Sequence, residues 1–165
     1  MARSPSSSER ARRRASPALL VLLVGARVIA ADADSVGPIA IVVGTSSPIR
    51  DVTVDGLREV YLRRRRIWPD GTPSLPVNLP ADHPVRRAFS KRVLGRLPED
   101  LEGHWKRLGF DGIRPPPVLQ SSQAVCAYVA VEPTAIGYLP LSAVDSDSCR
   151  VLLRLAEDAG AGSGR

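Results

Sequence analysis

Residues 38–44 read Pro-Ile-Ala-Ile-Val-Val-Gly. Five consecutive apolar side chains, four of them β-branched, describe a strand buried on both faces rather than one with a wet side. Such a strand needs cover above and below, and the residues downstream supply it. Thr45-Ser46-Ser47-Pro48 is a polar loop. Thr53 or Asp51 caps a helix in which Val54, Leu57, Val60 and Tyr61 recur at helical spacing. Pro69-Asp70-Gly71 is a turn, and residues 75–79 (LPVNL) read as a short strand whose Pro76 fits an edge. A second helix spans 83–94, with Pro84 in its first turn and Val85, Ala88, Phe89 and Val93 on one face. A third begins at Pro98-Glu99-Asp100, carries the stripe Leu101, Trp105, Leu108, and stops at Gly109. Ser121 or Ser122 caps a fourth, with Val125, Cys126, Val129 and Ala130 toward the core and Pro133 beyond its end. Residues 135–139 (AIGYL) and 151–155 read as strands, the latter with Cys149, Val151, Leu153 and Leu155 on one face. Strands alternating with helices give an α/β sandwich around a mixed, mostly parallel sheet.

Upstream of this domain the pattern changes. Arg3, Arg10, Arg12, Arg13 and Arg14 precede the apolar run PALLVLLVGA, and small residues follow at Ala30, Ala31 and Ala33. That order is the one of a secretory signal, expected over 1–33, with the domain over 34–157 and a flexible tail over 158–165. The chain is therefore expected to be exported, to the periplasm or beyond the cell. The whole sequence has 165 residues and a net charge of +6, but six of its 23 basic and two of its 17 acidic residues lie in 1–33. The remainder carries +2, too balanced for a strongly basic nucleic-acid binder, and no aromatic residues interleave with its arginines as a stacking platform would require. Cys126 and Cys149 are the two cysteines; in an oxidising compartment they either pair or remain two buried thiols. With His83 and His104 they show no metal-ligand spacing. No Gly-x-Ser-x-Gly elbow or nucleophile–base constellation is present, and Glu99 and Asp100 belong to a helix start. Neither an enzyme nor a cofactor is expected.

Several segments, in order, resemble one family. IAIVVG is followed by DGLREVYL, RIWPDGTPSLPVNLP, HPVRRAFSKRVLG, WKRLGFDGIRPPP and AYVAVEPTAIGYLP. Across residues 38–141 they are similar to the phosphate-binding-protein-like domain of bacterial ABC importers, in particular its short, single-lobe exported relatives. The most specific pieces are the pattern from Val129 to Tyr138 and the segment ending at Gly71. The resemblance implies a type II periplasmic binding-protein fold, here as a single-lobe, three-layer sandwich. In the two-lobed members, the lobes close around an oxyanion held by helix-start amides and short hydroxyls.

Family members hold phosphate with a Ser-Gly-Thr-Arg-like helix start, and the corresponding residues here are His83-Pro84-Val85-Arg86. Arg86 is kept, while proline removes an amide donor and valine a hydroxyl. The implied ligand residues are Thr45, Ser46, Ser47, His83 and Arg86. The implied partners are phosphate or a related small oxyanion, and the membrane subunits of an ABC importer in transport or sensing. The alternative is an exported interaction or structural protein that keeps the fold without the ligand. The run Arg63–Arg66 lies where relatives commonly show a glycine; its plain reading is a solvated helix end whose cations complement the dipole.

Overall fold

The computed structural model describes residues 36–156; the expected signal segment, 1–33, and tail, 158–165, lie outside them. Chain order is β1 (Ile39–Gly44), α1 (Val54–Tyr61), β2 (Leu75–Pro76), α2 (Pro84–Phe89), α3 (Glu102–Phe110), α4 (Ser122–Val131), β3 (Ala135–Pro140) and β4 (Cys149–Leu155). A π-helical turn, Ser90–Leu94, extends α2, and a one-turn 3-10 helix, Glu99–Leu101, leads into α3.

The caps of α1 and α4 are among those the sequence reading offered, and α2 has one as well. Thr53 accepts the Gly56 N–H, His83 the Val85 N–H and Ser121 the Ala124 N–H, each satisfying an orphan donor of a first turn. At the far end of α1 the Arg63 N–H bonds Val60 O at 3.0 Å and the Arg64 N–H bonds Glu59 O at 2.9 Å. This paired closure is a Schellman motif. Its left-handed residue is Arg63 (φ 58°), in the position glycine ordinarily fills.

The sheet order is β2-β3-β1-β4. It is mixed, as expected, but not mostly parallel. β1 runs antiparallel to both β3 and β4, and only the short β2–β3 pair is parallel. The reason is that no right-handed crossover returns to β1: the chain reaches its neighbours β3 and β4 from the opposite end. All six residues of β1 are buried, because both faces of the sheet are covered. On one side lies α4. A methyl at Gly137 would overlap the Val125 side chain, and one at Gly44 would overlap the carbonyl oxygen of Val129. On the other side lie α1 and α2, whose Tyr61 and Phe89 meet Tyr138. These are the three layers.

Two further expectations change. Between Ile41 and Val42 the β1–β4 register shifts by one, leaving Leu152 as a bulge residue. Cys149 and Val151 pair with Gly44 and Val42 on the α4 face, whereas Leu153 and Leu155 pair with Ile41 and Ile39 on the other. The four residues therefore do not share a face. The third helix runs on through Gly109 to Phe110, and none of its own residues is buried; Leu101, in the preceding turn, anchors it. Of the two cysteine readings the structure has the pair: Cys126 on α4 is disulfide-bonded to Cys149 on β4, with Cα atoms 5.6 Å apart.

Candidate anion-binding site

The turn before α2 sets the geometry. His83 has extended backbone and its Nδ1 accepts the Val85 N–H at 3.2 Å. Pro84 fixes the first turn, which turns Arg86 inward, to 7% exposure. There Arg86 Nη1 donates to the Tyr138 hydroxyl at 3.2 Å. That hydroxyl also accepts from the Leu79 N–H at 3.3 Å and donates to Asn78 Oδ1 at 3.2 Å, so its hydrogen-bonding capacity is full. The Phe89 ring stacks on Tyr138 with centroids 3.9 Å apart and 3° between planes. The Tyr61 ring tilts against both, and its hydroxyl lies 3.2 Å from the carbonyls of Val77 and Ile136.

Charge is unbalanced in this network. Burial pushes the Tyr138 phenol above its ordinary value of 10.0; Arg86 and the hydrogen bonds from Leu79 and Arg86 pull the other way and do not prevail. Burial, with Tyr138 beside it, raises Tyr61 well above 10.0 against a smaller pull from Arg86. Both phenols stay neutral at physiological pH. Among the described residues no carboxylate forms an ion pair with Arg86. Arg86 Nε and Ser90 Oγ, one turn further along, are buried without hydrogen-bond partners.

Of the five residues singled out in the sequence, His83 and Arg86 share one helical turn. Thr45, Ser46 and Ser47 lie elsewhere. Because β1 and β3 are antiparallel, the loop after β1 sits beside the entry to β3, where Ser47 Oγ donates to Pro133 O at 2.6 Å. Arg86 engages Tyr138, three residues past the first residue of β3, roughly 10 Å further along the strand. Ser47 is buried, and its oxygen also accepts the Ile49 N–H at 3.3 Å; Thr45 and Ser46 are exposed in the turn. Tyr138, Asn78 and Tyr61 were not singled out by sequence reasoning, although Tyr138 closes the AIGY pattern. Among the described residues no group of three His, Cys, Asp or Glu side chains is placed to hold a metal, and no helix is long and apolar enough to cross a membrane.

No family model matches the chain, and no curated protein matches it closely enough to count. Solved structures do. An ABC-type phosphate transport receptor from Vibrio cholerae superposes with a TM-score of 0.55 at 18% identity, over 72% of this chain and 47% of that one. A proposed phosphate ABC transporter substrate-binding protein from Clostridium perfringens, with bound phosphate, gives 0.55 at 21% identity over 72% and 46%. PstS from Borrelia burgdorferi gives 0.53 at 13% identity over 69% and 46%. The matches span less than half the length of each of these proteins. The chain thus has the α/β fold of one part of the phosphate ABC transporter substrate-binding proteins, as a partial relative of their architecture.

Proposed function

We propose that this chain is an exported solute-binding lobe that takes phosphate or a related small oxyanion against Arg86, in the service of an ABC importer or of sensing. One observation carries the reading: a guanidinium turned into the core at the start of α2, whose side-chain partner is a neutral phenol. An uncompensated buried charge costs several kcal/mol, and an oxyanion bound against Arg86 offsets that cost with charge-assisted hydrogen bonds. Arg86 Nε supplies a donor that nothing else uses among the described residues. The role is binding rather than catalysis, and His83, which caps the same turn, adds a second side chain to this end of α2. The likeness to phosphate receptors supports the choice of ligand class. Thr45, Ser46 and Ser47 enter this reading only as a separate polar turn.

A second reading, an exported interaction protein that keeps the fold without a ligand, has its own support. Pro84 offers no N–H, the Val85 N–H is already taken by His83, and the Ser47 hydroxyl is committed to Pro133. Calorimetric titration with phosphate at low salt, with sulfate as control, separates the two. Saturable phosphate binding that disappears in Arg86→Met, a variant that fills similar space without charge, is the expected result. Absence of heat at millimolar phosphate from protein with an intact melting transition leaves the second reading standing.

A further inference from the structure

A cavity lies elsewhere, beside β2. It is half open, holds about 360 Å³ and is lined by the proline connector 115–117, by Pro76 and Val77, and by Tyr128. Three arginines line it, Arg63, Arg66 and Arg114, against one acidic residue, Asp111. None of the residues in the Arg86–Tyr138–Asn78–Leu79 network belongs to it.

The run of four arginines therefore divides. Arg64 turns back to Glu59 in an exposed ion pair at 3.1 Å, as a dipole-complementing helix end would. Arg63 and Arg66 instead face the cavity. Arg63 does so from a left-handed backbone conformation that disfavours any residue but glycine. Its Nη1 donates to Ser74 O at 3.3 Å, while its Nε is buried with no partner. Burial and the neighbouring Arg66 push the Arg63 guanidinium below its ordinary value. Like charges thus stand side by side in a half-enclosed space. Among the described residues neither Arg63, Arg66 nor Arg114 is ion-paired. A strained backbone that holds a cation beside other cations points to an anion between them.

The walls say what else the ligand carries. Proline rings and a tyrosine ring offer apolar and stacking surface, and the volume lies in the range of small-molecule sites, larger than an inorganic oxyanion fills. The geometry points to a second binding site, for an organic phosphate monoester, with its dianionic head on Arg63, Arg66 and Arg114 and its carbon portion against Pro115–Pro117 and Tyr128.

The test is calorimetric titration of the purified full chain with phenyl phosphate, with inorganic phosphate and phenol as the two halves of that probe. With the oxyanion site removed by Arg86→Met, phenyl phosphate is expected to bind saturably and at least about tenfold more tightly than either half, with Arg63→Gly and Arg114→Gln each weakening it by about tenfold or more. Both variants keep the fold: glycine is the ordinary occupant of the Arg63 position, and Arg114 is exposed. Arg86→Met, which removes the oxyanion site proposed above, is expected to leave phenyl phosphate binding at this cavity unchanged. No saturable heat from folded protein at millimolar phenyl phosphate overturns the site. So does binding that, with Arg86→Met in place, survives both Arg63→Gly and Arg114→Gln, or that is lost in Arg86→Met alone.

Discussion

Tyr138 ties an arginine, an asparagine and a backbone N–H to one buried hydroxyl. Removing that oxygen leaves all three short of a partner in a buried setting. Tyr138→Phe is therefore expected to destabilise the chain by about 1–3 kcal/mol in urea unfolding, although it adds no cavity of consequence. The same burial has a pH consequence. Tyr61 and Tyr138 have folded-state values above the ordinary 10.0, so the folded chain holds their protons where the unfolded chain releases them. Their contribution is complete below about pH 10 and is lost as pH rises beyond it. Alkaline titration followed at 295 nm should show these two phenols ionising together with the unfolding transition and not before it. Arg86 was legible in the sequence as the surviving member of a helix-start motif. Its burial was not, because its partner Tyr138 stands 52 positions away. Local patterns place a residue on a face; they do not show which long-range group completes it.

Helix starts were legible for a related reason: Thr53, His83 and Ser121 act on N–H groups two or three positions ahead, within reach of any local reading. The faces of β4 were not. A single extra residue, Leu152, exchanges the two sides of the strand, and nothing in strict alternation announces it. The bulge still leaves Cys149 on the side of α4, where the disulfide forms across a sequence separation of 23 residues. Closing a loop of that size contributes about 3 kcal/mol in the chain-entropy account, so the Cys126→Ser, Cys149→Ser double variant should lose about that much in denaturant unfolding. Beside it, Gly44 lets the backbone of α4 rest directly on β1. Gly44→Ala sets a methyl against the Val129 carbonyl, which no side-chain rotation can relieve. A loss of about 1–3 kcal/mol is expected, seen as a lower melting temperature with an unchanged far-UV spectrum.

Across the whole described chain, burial is graded from centre to periphery. β1 is buried at every position, while α3 buries none of its residues and holds to the rest through Leu101, the half-buried Trp105 and a 2.9 Å bond between His104 Nε2 and Leu62 O. Native-state hydrogen exchange should find the amides of residues 40–43 opening only with global unfolding, and those of 102–110 exchanging through a local, far less costly opening. The layering was readable from PIAIVVG, since a strand apolar on both sides demands two covers. Strand direction was not, because alternation of helices and strands does not fix which end of the sheet each connection returns to. The pairing of Ile39 with Leu155 sets the outermost ends of β1 and β4 side by side. A molecule held at those two ends and stretched would part its β1–β4 hydrogen bonds one after another, like a zipper, rather than shearing them together. That peeling releases residues 150–155, about 20 Å of chain, and then halts at Cys149, where the load passes through the sulfurs into α4. Under tension the chain should yield early and softly at one sheet edge, then resist abruptly, and that second step should vanish when the bond is reduced.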